Sequence, residues 1–219
     1  MKSRREPEKN RTLLTAHGIL STMVAGVILA AGRSTRMGRP KALLRQIQSG
    51  HTFVSHLMRA GRAGGLAPVF VVGRPEDGEL RSVVDRAGEV FVVNSQPDQG
   101  QLSSIQAGLT AAVAAGATAV MIMPVDVPLV STAVVASLLE AAERSEALIV
   151  RASHQGVHGH PVLIKRAVFD ELREADPSVG ARGVVRADPS RVLDVEVDAG
   201  VTLDIDTAED YLRAFGRKL

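Results

Sequence analysis

Short apolar runs alternate with longer amphipathic stretches along most of this 219-residue chain. Five runs have the length and β-branched character of buried strands, at residues 24–30, 67–72, 89–93, 118–123 and 147–150. Helical stretches lie between them, at residues 52–64, 76–86, 103–115 and 131–145. Strands that alternate with helices form a mainly parallel sheet with both faces covered. The sequence therefore predicts a three-layer α/β/α fold.

The alternation becomes less regular after residue 151, but it does not stop. Residues 153–160 read as a loop or hairpin because they contain two Gly and three His, and further elements follow. We expect strands at 161–164 and 191–197 and helices at 165–175, 181–186 and 207–217, the last with the capping-box spacing of Thr207 and Asp210. We find no internal repeat and no linker. The prediction is a single domain over residues 23–219 with a mostly parallel, Rossmann-like sheet.

The charge pattern separates the first 22 residues from the rest. They carry five basic and two acidic residues, which leaves 21 basic and 22 acidic residues for the remainder. We predict a disordered basic extension over 1–22 and no nucleic-acid partner for the domain, which has no basic bias. The apolar stretch 19–31 is too short to span a membrane, so we expect no membrane partner. The absence of cysteine excludes disulfides and thiolate catalysis and fits a cytoplasmic location.

The segment that follows the first strand has the features of a phosphate-binding loop. Small residues come first and three cations follow around a second glycine: Ala31, Gly32, Arg33, Ser34, Arg36, Gly38 and Lys41. Small residues let the backbone approach a phosphate closely, and consecutive N–H groups with Arg and Lys supply donors and charge. The spacing matches neither a Walker A loop nor Gly-x-Gly-x-x-Gly. The alternative is an ordinary connecting loop with solvated arginines.

Two acidic segments are candidate metal sites. Asp126 lies between Pro124 and Pro128 at the end of the fourth predicted strand, at the edge where the phosphate loop also lies. A carboxylate there suits Mg²⁺, whereas the alternative is a turn aspartate that binds local N–H groups. Asp204 and Asp206 share one face of an extended segment, and either could reach the same ion. Their alternative role is N-capping of the last helix.

A polar loop follows the third predicted strand and leads into a helix. Asn94 and Gln101 could hydrogen-bond the base or ribose of a nucleotide, and Ser103 stands at the expected helix start, a favourable position for an anion. Plain helix capping is the alternative for the serine. It does not account for the length of the loop.

The motif Leu-Ala-Ala-Gly-x-Ser-x-Arg-Met-Gly-x-x-Lys, which ends at Lys41, resembles the nucleotide loop of nucleotidyltransferases that act on molybdopterin, and most of all that of molybdenum cofactor cytidylyltransferases. The resemblance implies a fold of the nucleotidyltransferase type. It implies that Arg36 and Lys41 stabilise charge during transfer and that the loop binds the nucleotide through Leu29, Ala30, Ala31, Gly32, Arg33, Ser34, Arg36 and Lys41. The guanylyltransferase branch usually has Ala-Gly-Gly at residues 30–32, so Ala31 favours CTP.

Four further segments carry the same resemblance. Pro-Val-Asp-Val-Pro resembles the family segment whose Asp binds the ion, which implies Mg²⁺ at Asp126. Asp-Ile-Asp-Thr-Ala-Glu-Asp resembles the family's Asp-Ile-Asp-Thr-Pro-Glu-Asp and implies Asp206 as a second ligand. Gly-His-Pro resembles a segment near the acceptor, so that His160 would position the pterin or its phosphate. The stretch with Asn94, Gln101 and Ser103 is similar to one that contacts the nucleotide.

The resemblance implies a defined reaction. The enzyme would transfer CMP from CTP to molybdopterin and release pyrophosphate, with Asp126, Arg36 and Lys41 as catalytic residues. It also implies transient contact with a molybdoenzyme or its chaperone. Three alternatives stay open: a guanylyltransferase, a transferase that acts on a sugar or alcohol phosphate, and a non-catalytic molybdopterin-binding chaperone.

Overall fold

The computed structural model describes residues 23–46 and 49–217. Within them the chain forms one α/β domain built on a seven-stranded sheet in the order β3-β2-β1-β4-β6-β5-β7. The strands are β1 Val24–Leu29, β2 Val69–Gly73, β3 Val90–Val93, β4 Ala119–Pro124, β5 Ile149–His154, β6 Val157–Lys165 and β7 Val192–Glu196. The helices are α1 Phe53–Ala63, α2 Gly78–Arg86, α3 Gln101–Ala114, α4 Thr132–Arg144, α5 Phe169–Glu174, α6 Ala181–Ala187 and α7 Ala208–Phe215. The predicted extension over 1–22 lies outside the described residues.

The sheet is mostly parallel, as predicted. β1 to β4 run parallel, β7 is parallel to β5, and β6 is antiparallel to both β4 and β5. The reversal comes from a two-residue turn at Gln155 and Gly156, which both have positive φ angles of 49° and 78°. That geometry matches the twist of a hairpin. The strands that we predicted at 147–150 and 161–164 are therefore shorter than the observed β5 and β6, which continue to the turn.

Helices cover both faces of the sheet and divide the core into two clusters. Alternate residues of β1 show the division, because Ile28 joins the cluster under α1, α2, α4 and α7, whereas Val27 and Leu29 join the cluster under α3, α5 and α6. Gly108 brings α3 close to β1, since a Cβ there would lie 2.3 Å from Val27 Cγ1. The three-layer prediction is confirmed.

The carboxyl ends of β1 and β4 meet at one edge of the sheet. Val125 donates its backbone N–H to Leu29 O at 3.0 Å and so joins the segment after β4 to the end of β1. The capping box of Thr207 and Asp210 at the start of α7 is present as predicted. In the part of the chain that the structure describes, each helix is too short or too polar to cross a membrane.

Candidate active site

The loop after β1 folds into a compact turn around Ser34. Ser34 has a φ of 51° and Gly38 a φ of 66°, so the backbone visits the left-handed region twice. The Ser34 hydroxyl accepts from Lys41 N–H at 3.1 Å, which ties the two ends of the loop together. Met37 and Ala42 are buried and anchor the loop to the core. The hydroxyl bond and the two buried side chains thus hold the loop against the domain.

The phosphate loop and Asp126 line the same cavity, of about 260 Å³. Its wall consists of Leu29, Ala31, Gly32, Ser34, Lys41, Pro97, Gly100, Gln101, Ser104, Pro124, Val125 and Asp126. Burial raises the pKa of the Asp126 carboxyl, and the nearby Lys41 ammonium opposes that rise. A second cavity of about 410 Å³ lies against α2 and shares Gly32, Ser34 and Lys41 with the first cavity. The loop is therefore the wall between two clefts.

Asp206 stands beside Asp126 because the segment before α7 is bonded to the loop after β4. Ile205 donates its N–H to Asp126 O at 2.7 Å. Asp206 accepts from Arg36 Nη2 at 3.0 Å and also forms a short ion pair with Lys41. The Lys41 hydrogen bond is the main reason that the pKa of Asp206 is lowered. The two cations predicted to bind phosphate are thus held by this carboxylate.

The carboxylates near the cavity fit a metal ion that is shared with a substrate. Burial raises the pKa of Asp204, and the negative charges of Asp126 and Asp206 add to the rise, which indicates that the three groups lie near one another. In the described residues we find no group of three or more His, Asp or Glu side chains arranged to hold a metal by themselves. Mg²⁺ is usually bound by one or two carboxylates together with substrate phosphates. Asp126 would provide one such carboxylate, and Asp206 would provide the second by exchanging its ion pairs with Arg36 and Lys41 for the metal.

The three residues predicted in the polar loop after β3 have different surroundings: two bond to the loop itself and one lines the cavity. Asn94 is buried, and its amide donates to Ser103 Oγ at 2.8 Å and Ser104 Oγ at 3.0 Å and accepts from Gln96 N–H at 2.8 Å. Ser103 also donates back to the loop, to Gly100 O at 2.8 Å. Both side chains are therefore used to shape the loop. Gln101 lines the cavity, as does Ser104, which the sequence did not single out.

The expected helix start at Ser103 is wrong, since α3 begins at Gln101 with Gly100 as its N-cap. A 3-10 turn over Pro97–Gln99 shortens the loop, and Gly100 adopts a φ of 90° that lets the helix begin two residues earlier. Ser103 consequently lies inside the first turn of the helix. Its position explains why its hydroxyl meets the loop carbonyls and not the cavity.

Arg33 does not point its charge freely into the cavity. It forms a bidentate pair with Asp98, with its Nε 2.9 Å from Oδ1 and its Nη2 2.5 Å from Oδ2. Arg74 binds the same carboxylate at 2.5 Å and donates from Nε to Ala31 O at 2.9 Å. The two guanidinium groups lower the pKa of Asp98 well below its usual range.

Arg74 and Asp98 were missed by the sequence reasoning. The side chain of Arg74 is only 11% exposed, and it connects the phosphate loop to the loop after β3. A signal existed, because Arg74 directly follows β2, whose carboxyl end lies at the same edge as that of β1. Polar residues at that edge are candidates for ligand binding in open α/β sheets.

His160 lies at the same edge, beyond Asp126. β6 is antiparallel to β4 and their last paired residues are Val162 and Ile122, so His160 lies at the end of β6 that adjoins the carboxyl end of β4. Burial lowers the pKa of His160 to about 4, and the charge of Arg182 contributes to the shift. Its Nδ1 is buried and meets no hydrogen-bond partner among the described residues. At neutral pH the imidazole is uncharged.

The sequence of residues 26–192 matches the family model of the MobA-like NTP transferase domain. The chain belongs to the MobA-like NTP transferase family. A probable molybdenum cofactor guanylyltransferase from Opitutus terrae is 35% identical over 131 residues, which are 60% of this chain and 61% of that protein. The chain thus matches less than two thirds of the length of this curated relative.

Solved structures similar to this chain extend over nearly all of it. Rv0371c from Mycobacterium tuberculosis H37Rv superposes with a TM-score of 0.76 at 29% identity and covers 91% of this chain and 100% of that one. A second structure of Rv0371c is a complex with manganese and superposes with a TM-score of 0.69 at 28% identity. The nucleotidyltransferase-type fold predicted from the sequence is confirmed.

Proposed function

We propose that this chain transfers a nucleoside monophosphate from an NTP to molybdopterin. The observation that carries the proposal is the shared cavity of the phosphate loop and Asp126, which brings Lys41 and a partly buried carboxylate to one place. Family membership supports the reaction class, and the name of the Opitutus terrae relative supports molybdopterin as the acceptor. Transient contact with a molybdoenzyme or its chaperone stays a prediction.

The reaction is an in-line displacement at the α-phosphorus of the NTP. An oxygen of the acceptor's terminal phosphate forms the new bond, the bond from the α-phosphorus to the bridging oxygen breaks, and pyrophosphate leaves with that electron pair. The acceptor phosphate is already ionised near neutral pH, so no general base is required. Catalysis therefore rests on positioning and on stabilisation of charge.

The residues of this chain divide that work. Backbone N–H groups of the loop from Ala30 to Ser34 hold the triphosphate, and Gln101 contacts the base or ribose. Arg36 and Lys41 neutralise charge that develops on the leaving pyrophosphate, and Asp206 forms ion pairs with both cations. We assign Asn94, Ser103 and Arg33 to the shaping of this site, because their polar atoms bind neighbouring loop residues.

Asp126 and Asp206 would hold the divalent cation, which we propose to be Mg²⁺. When bound, the ion offsets charge on the phosphate oxygens and orients them. The manganese complex of Rv0371c supports a divalent ion in proteins of this kind. We take Asp126 as the principal ligand because it is largely shielded from water beside Lys41. A charged carboxylate without a partner costs free energy in such a place, and a bound cation would supply that partner.

For the base we propose CTP. Ala31 lines the cavity where the guanylyltransferase branch usually has glycine, and we expect its methyl group to leave less room for a purine base. GTP is the second candidate, because the Opitutus terrae relative is named a guanylyltransferase. The structure of the site would serve either nucleotide with the same phosphate chemistry.

The test is pyrophosphate release from each of the four NTPs, with and without molybdopterin and Mg²⁺. We expect release with CTP only when molybdopterin and Mg²⁺ are both present, and its loss in Asp126→Asn. Asp170→Asn, which changes an exposed aspartate of α5, is the matched control and should keep full activity. Full activity of Asp126→Asn refutes the assignment, tight molybdopterin binding without turnover favours a chaperone, and turnover with sugar phosphates favours the broader transferase class.

A further inference from the structure

The order of the strands arranges the site along one edge of the sheet. β1, β4 and β6 are consecutive neighbours, and they carry the phosphate loop, Asp126 and His160 at that edge. Asp126 therefore lies between the loop that would hold the NTP and the segment that contains His160. Because the donor occupies the β1 side, an acceptor that attacks the α-phosphorus must approach from the β6 side.

His160 faces the layer of α3, α5 and α6. The preceding Gly159 packs against the backbone of Val201, where a Cβ would lie 2.2 Å from the carbonyl oxygen, and Val201 belongs to the cluster under α1 and α4. Successive residues of an extended segment face opposite sides, so His160 faces the other layer. α6 lies in that layer, since its Val184 belongs to the cluster under α3. The positive charge of Arg182 on α6 contributes to the lowered pKa of His160, which agrees with this arrangement.

Two polar groups with unused binding capacity thus lie in the same layer, on the β6 side of Asp126, because Val184 of α6 and Val162 of β6 belong to one buried cluster. The Nδ1 atom of His160 is buried without a partner among the described residues. Arg182 is exposed, and in the part of the chain that the structure describes it forms neither an ion pair nor a side-chain hydrogen bond. Arg33 and Arg74 of the predicted nucleotide side, by contrast, are both paired with Asp98. An uncharged imidazole suits a neutral heteroatom, whereas a free guanidinium suits a phosphate.

We propose that Arg182 and His160 form the acceptor subsite, in which Arg182 binds the acceptor's phosphate and His160 hydrogen-bonds the uncharged ring system that carries it. The assignment rests on the proposed function and adds a residue to it. It also divides two roles that the sequence left to His160 alone. The acceptor class that fits is a phosphate monoester on a neutral heterocycle with polar edges.

The test compares Arg182→Gln with Arg186→Gln, which removes the same charge from the same helix one turn further on. Pyrophosphate release is measured against molybdopterin at saturating NTP, and then against NTP at saturating molybdopterin. We expect Arg182→Gln to raise the KM for molybdopterin by about 10- to 100-fold, the range for a lost hydrogen bond to a charged group. The KM for NTP should change less than about twofold, as should both KM values in Arg186→Gln. Arg182→Lys should recover part of the loss, because it keeps the charge but not the fork.

Equal KM values for molybdopterin in the two glutamine variants would overturn the assignment. A raised KM for NTP in Arg182→Gln would also overturn it, since Arg182 would then belong to the donor side. If the wild-type protein shows no turnover with any NTP, the proposed function fails separately. In that event a direct titration of molybdopterin, followed by pterin fluorescence, still decides the role of Arg182. Tenfold weaker binding by Arg182→Gln supports the subsite, and equal binding refutes it.

Discussion

Arg74→Met should weaken nucleotide binding although Arg74 is not among the residues predicted to touch the nucleotide. The side chain is 11% exposed and donates from Nε to Ala31 O at 2.9 Å, inside the phosphate loop. Methionine fills a similar volume but donates nothing, so the loop loses a bond from a charged donor. Such bonds contribute about 1.5–3 kcal/mol when buried. The pair with Asp98 adds little, because that carboxylate is 60% exposed and screened by solvent.

If the loop conformation that binds the nucleotide is destabilised by about 2 kcal/mol, the KM for NTP rises roughly 30-fold. The assay is pyrophosphate release against NTP at saturating molybdopterin, with Asp98→Asn and Arg81→Met as comparisons. Asp98→Asn should raise the KM for NTP less than Arg74→Met does. Arg81→Met removes a guanidinium that lies over the Phe91 ring, away from the loop, and should leave it unchanged. The reasoning is refuted if Arg74→Met keeps the wild-type KM, or if Asp98→Asn has the larger effect.

Three further variants test the burial of His160, the packing under the carboxylates and the choice of base. In urea titrations, His160→Gln should lose less stability than the wild type as the pH falls from 6.5 to 4. The pKa of His160 is about 4 in the folded state and 6.5 in the unfolded state, so only the unfolded state gains a proton in this range, which costs the wild type about 3 kcal/mol by pH 4. Parallel pH profiles of the two proteins would contradict this. Gly159→Ala places a Cβ 2.2 Å from Val201 O, and the resulting shift of about 1 Å in the segment before Asp206 should lower kcat about 100-fold. Gly61→Ala, whose Cβ meets only flexible side-chain ends at 3.3 Å, should keep wild-type kcat, and an equal kcat in both variants would disprove the coupling. Ala31→Gly should raise kcat/KM for GTP relative to CTP in the NTP panel, and an unchanged ratio would remove the argument for CTP.

The layer architecture could be predicted because it depends on a signal that repeats along the chain. Each buried strand is a continuous apolar run and each helix has an amphipathic period, so their alternation fixes a covered parallel sheet. β5 and β6 were predicted too short because their outer halves contain His154, Val157 and His158, which are partly or fully exposed. Those residues are in strands because of hairpin pairing, which a local pattern of hydrophobicity does not reveal.

The meeting of the phosphate loop and Asp126 in one cavity could also be predicted, because one topological rule applies to both segments. Residues that follow parallel strands gather at one edge of the sheet, which brought Lys41 and Asp126 to one cavity. The same rule does not predict which polar side chains will form hydrogen bonds or ion pairs with neighbouring residues and so be unavailable to a ligand. Asn94 and Ser103 bond to each other, and Arg33 pairs with Asp98 across 65 residues of sequence. Pairings of that kind depend on loop conformation, which only the structure supplies.

The central claim is that one divalent ion and the phosphates of the nucleotide meet at Asp126 beside Lys41. The most direct measurement is a crystal structure with Mn²⁺ and a CTP analogue whose α,β-bridging oxygen is replaced by a methylene group, with anomalous data to locate the manganese. We predict an anomalous peak within coordination distance of both the Asp126 carboxylate and an α-phosphate oxygen, with Lys41 on the remaining phosphates. A nucleotide bound elsewhere, or manganese that does not contact Asp126, would contradict the claim.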